Sequence, residues 1–169
     1  MKKAKITSDG KLMTGDKTVQ LTEEQLDMLG IKIRKNPFER VNGKYYLIKD
    51  TYGRSYATID DRGVFDDNAY NNVNYFNDKD FANQVALHQL LYRKLLKFAY
   101  DNGFEDTAEW NGGNEHWAIR YNRYRNEFRL YYQDGYKAHE VYFSSEEGAE
   151  RAIKEVVKPF MKEHPEFVW

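Results

Sequence analysis

The densest grouping of side chains able to do chemistry is Arg120 to Arg129, RYNRYRNEFR, in which Arg120, Arg123, Arg125 and Arg129 alternate with Tyr121, Tyr124 and Phe128. Guanidinium groups supply forked donors for phosphate or carboxylate, and the rings supply stacking faces. The combination suits single-stranded nucleic acid, and it suits an acidic patch on a partner protein equally well. Strand alternation sorts the window. Trp117, Ile119 and Tyr121 share a face with Phe128, Leu130 and Tyr132, while Arg120, Arg129 and Tyr131 point the other way and Arg123, Tyr124 and Arg125 lie at a hairpin tip. If helices cover the first face, the second is a solvent-facing platform, and Arg120, Arg123, Tyr124, Arg125, Arg129 and Tyr131 are the candidate binding residues. The competing expectation is an ordinary solvated face whose arginines pair with Glu115, Glu127 or Glu140 across the sheet.

Catalytic templates are not met. His88, His116, His139 and His164 are scattered, without HExxH spacing or an acidic cluster beside them, and no nucleophile elbow, Walker A or dinucleotide fingerprint occurs. A pairing of His116 with His139 on adjacent strands is conceivable; an exposed or hydrogen-bonded role for each is the simpler expectation. No metal site, no cofactor and no enzymatic activity are therefore expected. The absence of cysteine excludes disulfides and thiolate ligands. A net charge of −1 provides no whole-molecule field for nucleic acid or membrane, so any such binding must be local. No apolar signal region and no run of about 18 apolar residues is present, which makes the cytosol, including that of a host cell, the expected setting.

The elements that must position these residues are organised around one long helical signal, Asn77 to Asn102. Its apolar residues span an arc of roughly 220°, too wide for a single packing partner. Sheet on one side and a second helix on another are expected to cover it. Gln84 and His88 are polar residues within that arc; they are either a secondary binding candidate opening onto the core or a hydrogen-bonded interior pair.

Before this helix, KIT, KLM and TVQL read as short strands around turns at Ser8-Asp9-Gly10 and Thr14-Gly15-Asp16. Thr22 and Gln25 form a capping box for a short helix that stops at Gly30, and Asn36-Pro37 ends the segment. Residues 1–36 are thus an N-terminal hairpin and short helix. FERV, KYYLIKD and SYATID then read as strands, and the Asn- and Asp-rich Asp66 to Asn77 as a loop. That loop is acidic, with Asp60, Asp61, Asp66, Asp67, Asp78 and Asp80 nearby: a solvated surface, or one mimicking nucleic-acid charge. Downstream, HWAIRY, EFRLYYQ and KAHEVYF read as three further strands. Ser144 and Glu147 form a second capping box, opening a helix that Pro159 should end or kink near its last turn. Phe167 and Trp169 in the closing EHPEFVW should dock on the body.

Laying the second half over the first places Tyr75-Phe76 on Tyr142-Phe143, Asp80 on Glu147 and Ala82 on Ala149. The order strand, strand, strand, helix occurs twice, so an internal duplication is expected, with units at 37–103 and 104–169 forming one compact domain. The fold class is α+β: antiparallel sheets with two packed helices, plus the N-terminal hairpin and short helix.

The combination of KYYLIKD, NYFNDKDFAN leading into a helix, HWAIRYN, EFRLYYQDG and VYFSSEEGAERAIKEV, together with LTEEQLDMLG, resembles small, mostly uncharacterised proteins of Gram-positive phages and prophages. Such small phage proteins include anti-defence, anti-CRISPR-like inhibitors. The resemblance carries structural motifs and no catalytic residues. It implies a mobile-element accessory protein, and the leading expectation is a non-catalytic protein that binds and antagonises a bacterial antiphage-defence protein or complex. The alternatives are a nucleic-acid-binding module using the 120–131 hairpin and a binder of a small-molecule or nucleotide signal.

Overall fold

The computed structural model describes residues 4–7, 10–31, 36–49, 52–105 and 110–169. The expected Ser8-Asp9 turn lies outside them. The chain is α+β, with three separate antiparallel sheets and helices packed between and beside them.

The N-terminal segment forms three short strands, β1 (Lys5–Ile6), β2 (Lys11–Thr14) and β3 (Lys17–Gln20), in sequential order. Helix α1 (Glu23–Met28) follows. Its start is a reciprocal capping box: Gln25 N–H donates to Thr22 Oγ1 and Thr22 N–H to Gln25 Oε1. Gly30 at φ 66° turns the chain so that Ile31 N–H reaches the Leu26 carbonyl, closing the helix.

The remainder repeats one frame twice. In the first unit, β4 (Gly43–Ile48) pairs with β5 (Ser55–Asp60), and Tyr46 makes a two-hydrogen-bond bridge to Phe76 just before α3 (Lys79–Asp101). In the second, β6 (His116–Asn122) pairs with β7 (Glu127–Gln133), and Trp117 makes the same bridge to Phe143 just before the C-terminal helix. Helix starts correspond too. Asp78 caps α3 by accepting from Phe81 N–H, and Ser145 caps α4 (Glu146–Ala152) by accepting from Gly148 N–H. The second cap is therefore Ser145, and Ser144 instead donates to the Gly103 carbonyl, tying α4 to the end of α3.

Three expectations are corrected. FERV and KAHEVYF are not strands; each unit has a hairpin plus one bridged residue, because Phe76 and Phe143 meet the sheet at a single position before the chain turns into a helix. The expected acidic loop contains α2 (Val64–Asn71), an eight-residue helix whose start is held by the Asp66 carboxylate accepting from Gly63 N–H. Pro159 does not end the last helix. The helix runs on through a π-helical turn, Ile153–Val157, into α5 (Lys158–Glu163), and Pro159 lies just past that irregular turn.

The main core lies between α3, the C-terminal helix and the second hairpin. Leu87, Leu91, Leu95 and Ala99 meet Ala149, Ala152, Val157, Phe160 and Phe143 there. A smaller cluster, Tyr45, Leu47 and Tyr75, fills the first unit. The buried face of α3 is narrower than its apolar arc, since Phe81, Tyr92 and Tyr100 lie at its exposed margins. Gly53 lets the first hairpin approach this helix: at φ 75° it is buried, and a Cβ would stand 3.0 Å from the Leu87 and Leu90 methyls.

Candidate binding surface and cleft

The β6–β7 hairpin forms as its sequence demands. Four residues, Arg123 to Asn126, connect the strands; Asn126 takes the left-handed conformation (φ 53°) and Arg125 N–H donates to Asn122 Oδ1. Arg120 lies directly opposite Arg129 in the ladder. Like charges in that position repel, and Arg120 turns to its diagonal neighbour Tyr131 while Arg129 turns to Glu127, two residues back on its own strand. Arg129 pairs with Glu127 at 2.7 Å, and the Arg120 guanidinium lies 3.7 Å from the centroid of the Tyr131 ring.

The six candidate residues consequently separate. Arg129 is ion-paired, though to Glu127 on its own strand rather than across the sheet. Arg123 donates through Nε (2.9 Å) and its terminal nitrogen to the Trp169 carbonyl, which fixes the C-terminal segment against the hairpin. Tyr131 is not on an open platform; its ring is half-buried and its hydroxyl is buried without a partner. Tyr124 is 97% exposed at the tip, and the neighbouring Arg125 side chain is exposed with no partner among the described residues.

Gln84 and His88 also part company. Gln84 accepts from Val168 N–H (3.0 Å) and donates to the Glu166 carbonyl (2.7 Å), so it acts as a backbone mimic that pairs the C-terminal segment to α3. His88 is exposed and packs against the buried ring of Phe167. Phe167 and Trp169 do dock on the body, Trp169 against Tyr121 and Phe128.

Between α3, β6, the 139–143 segment and this docked tail lies a cleft of about 770 Å³. Its floor is apolar, with Leu91, Leu95, Ile119, Val141 and Phe143, and its margins carry His88, Arg93, Arg120, His139 and Glu140. Buried Oε2 of Glu140 has no hydrogen-bond partner. Neither Arg93 nor Arg120 has a hydrogen-bonded or ionic partner among the described residues. His139 stacks near Tyr92 at 5.9 Å, whereas His116 belongs to another stack, 3.8 Å from Trp110 and nearly parallel to it. The two histidines do not pair. His116 is 3% exposed, and both its ring nitrogens and the Trp110 indole N–H are without partners. Neither the cleft nor the unpartnered groups can be read from spacing, because the 139–143 segment joins α3 and β6 around the cleft only after the chain folds back beyond Gly135.

The acidic region around α2 is divided: Asp61, Asp67, Asp78 and Asp80 are exposed, whereas the Asp60 and Asp66 carboxylates are interior. Arg40, which no sequence motif marks, forks onto Asp60 (2.7 and 2.9 Å) and reaches Asp67 at 2.6 Å. Asp60 also accepts from Arg62 N–H and the Tyr75 hydroxyl. The Arg40 guanidinium, followed by these hydrogen bonds, holds the Asp60 carboxyl well below the usual carboxylate range. Asp66, 3% exposed, accepts from Tyr45 Oη (2.7 Å), Asp61 N–H and Gly63 N–H, and its carboxyl is likewise depressed, chiefly by the Tyr45 hydroxyl. Burial, reinforced by Asp66, pushes the Tyr45 phenol up. Two of the acidic side chains are interior structural groups.

Among the described residues no three His, Asp or Glu side chains group as metal ligands, and no helix is long and apolar enough to cross a membrane. A comparison with protein-family models, curated proteins and solved structures finds no match to this chain.

Proposed function

We propose that this chain is a non-catalytic, phage-encoded accessory protein that binds and antagonises a bacterial antiphage-defence factor through the tip of the β6–β7 hairpin. The observation behind this reading is the pairing of a 97% exposed Tyr124 with the unpartnered, exposed Arg125. Tyrosine and arginine are residue types that dominate binding energy once an interface buries them. The tip is also preorganised, since Asn122 and Asn126 shape its turn and Arg123 ties it to the C-terminal segment. A rigid tip loses less entropy on docking than a mobile loop. The phage setting follows the resemblance of the junction motifs.

Co-expression with a panel of antiphage-defence complexes tests this, read by co-elution and by phage survival. The expected result is a stoichiometric complex and protected phage, with the double substitution Tyr124→Ala and Arg125→Ala weakening association at least about tenfold. Absence of both complex and protection across the panel rejects the reading. Retention on DNA or RNA that falls steeply with salt and is lost in the same double variant would assign the surface to nucleic acid instead.

A further inference from the structure

The hairpin tip leaves the cleft beneath it without a role, although the cleft holds the least satisfied polar groups near the candidate surface. Three chemical demands converge there. The apolar floor, flanked by Tyr92, Tyr121 and Trp169, accepts a flat ring system. Arg93 and Arg120 present guanidinium donors that no described protein group uses, and Arg120 is held by its stack on Tyr131. Glu140 presents a carboxylate whose buried Oε2 has no donor, and it makes no ion pair with either arginine among the described residues. A buried carboxylate oxygen lacking a donor is costly, so the free protein retains a strong demand for N–H groups at this point.

One molecule that meets all three demands carries a planar base, two adjacent N–H donors on one edge and an anionic group. We propose that the cleft binds a guanine nucleotide. The Glu140 side chain turns into the cleft, exposing the Oε2 that is closed off in the free protein, so that the N1–H and exocyclic N2 amine of guanine meet its two oxygens; the base lies on the apolar floor, and the phosphate takes the Arg93 and Arg120 donors. Adenine offers that carboxylate one amine beside the N1 acceptor, whose lone pair opposes a carboxylate oxygen, so the site discriminates against it. A cleft of about 770 Å³ falls within the range of small-ligand sites. The inference does not depend on the partner of the hairpin tip, and the two fail separately.

Titration calorimetry of the full chain with GMP, IMP, AMP and guanosine tests it, with melting temperature as a second readout. GMP should bind one to one and raise the melting temperature. AMP should bind at least about tenfold more weakly, with IMP, which keeps N1–H but lacks the N2 amine, between them. Guanosine should lose about tenfold through the missing phosphate. Glu140→Gln should bring GMP towards AMP, and Arg120→Ala should weaken GMP and AMP alike. The ligand series on the unaltered protein decides the matter even if a variant folds poorly. No binding of GMP, or equal binding of GMP, IMP and AMP, overturns the proposal.

Discussion

The two halves of the repeated frame treat one shared position in opposite ways. Tyr45 and His116 each precede the bridged strand residue, and each packs against the tyrosine before the bridged phenylalanine: Tyr45 on Tyr75 at 4.0 Å, His116 on Tyr142 at 6.3 Å. In the first unit the polar ends are satisfied, Tyr45 by Asp66 and Tyr75 by Asp60 and Val41. In the second, the Tyr142 hydroxyl accepts from Ala138 N–H (2.9 Å), but both nitrogens of His116 are buried and unpartnered, as are the Tyr131 hydroxyl and one oxygen of Glu140 nearby in sequence. Shared geometry therefore does not imply shared role. The first unit uses its carboxylates to brace α2 against the hairpin, while the second leaves several buried polar groups without a partner among the described residues.

The largest effect should come from breaking what the halves have in common. Phe76→Ala and Phe143→Ala each remove a ring that is 2% exposed, and each should cost about 3–5 kcal/mol in urea unfolding. A small loss at only one site would show that the frames are not equivalent.

Acid should separate the units next. Because folded Asp60 and Asp66 titrate below their unfolded values, their stabilisation is complete above the ordinary carboxylate range near pH 3.9 and is lost as pH falls below it. Melting temperature should therefore drop steeply below about pH 4. Asp60→Asn should be destabilised at neutral pH and should flatten that acid limb, so the gap to the parent protein narrows on acidification. Parallel curves would mean that the Arg40–Asp60 pair does not control the acid response.

The finest distinction is a pair of phenylalanine substitutions. Tyr45→Phe leaves the Asp66 carboxylate one donor short and should cost about 1.5–3 kcal/mol. His116→Phe removes two unpartnered nitrogens from a buried aromatic stack and should lie within about 0.5 kcal/mol of the parent or be stabilising. Equal costs would erase the contrast between the units.

Local and periodic signals carried far in this chain. Thr22 with Gln25 and Gly30 delimit α1, the apolar spacing from Asn77 to Asn102 delimits α3 to within two residues, and the strand pair around Arg123 to Asn126 follows alternation and turn chemistry. These are short-range effects, set by backbone preference and side-chain period. Helix α2 escaped because its asparagines and aspartates favour loops when read locally, and what holds it is Asp66 meeting Tyr45 from another element.

The correspondence of Tyr75-Phe76 with Tyr142-Phe143, and the α+β character itself, were determined by the sequence alone. Only the tertiary structure decided which arginines are engaged, which are not, and where the cleft opens. Arg40 found Asp60, Arg123 found Trp169 and Arg120 found Tyr131 through contacts that no local pattern encodes. Periodicity specifies which face of an element turns inward; it does not specify which distant group will meet a side chain there, and that meeting determines whether a buried polar group is braced or left unpartnered.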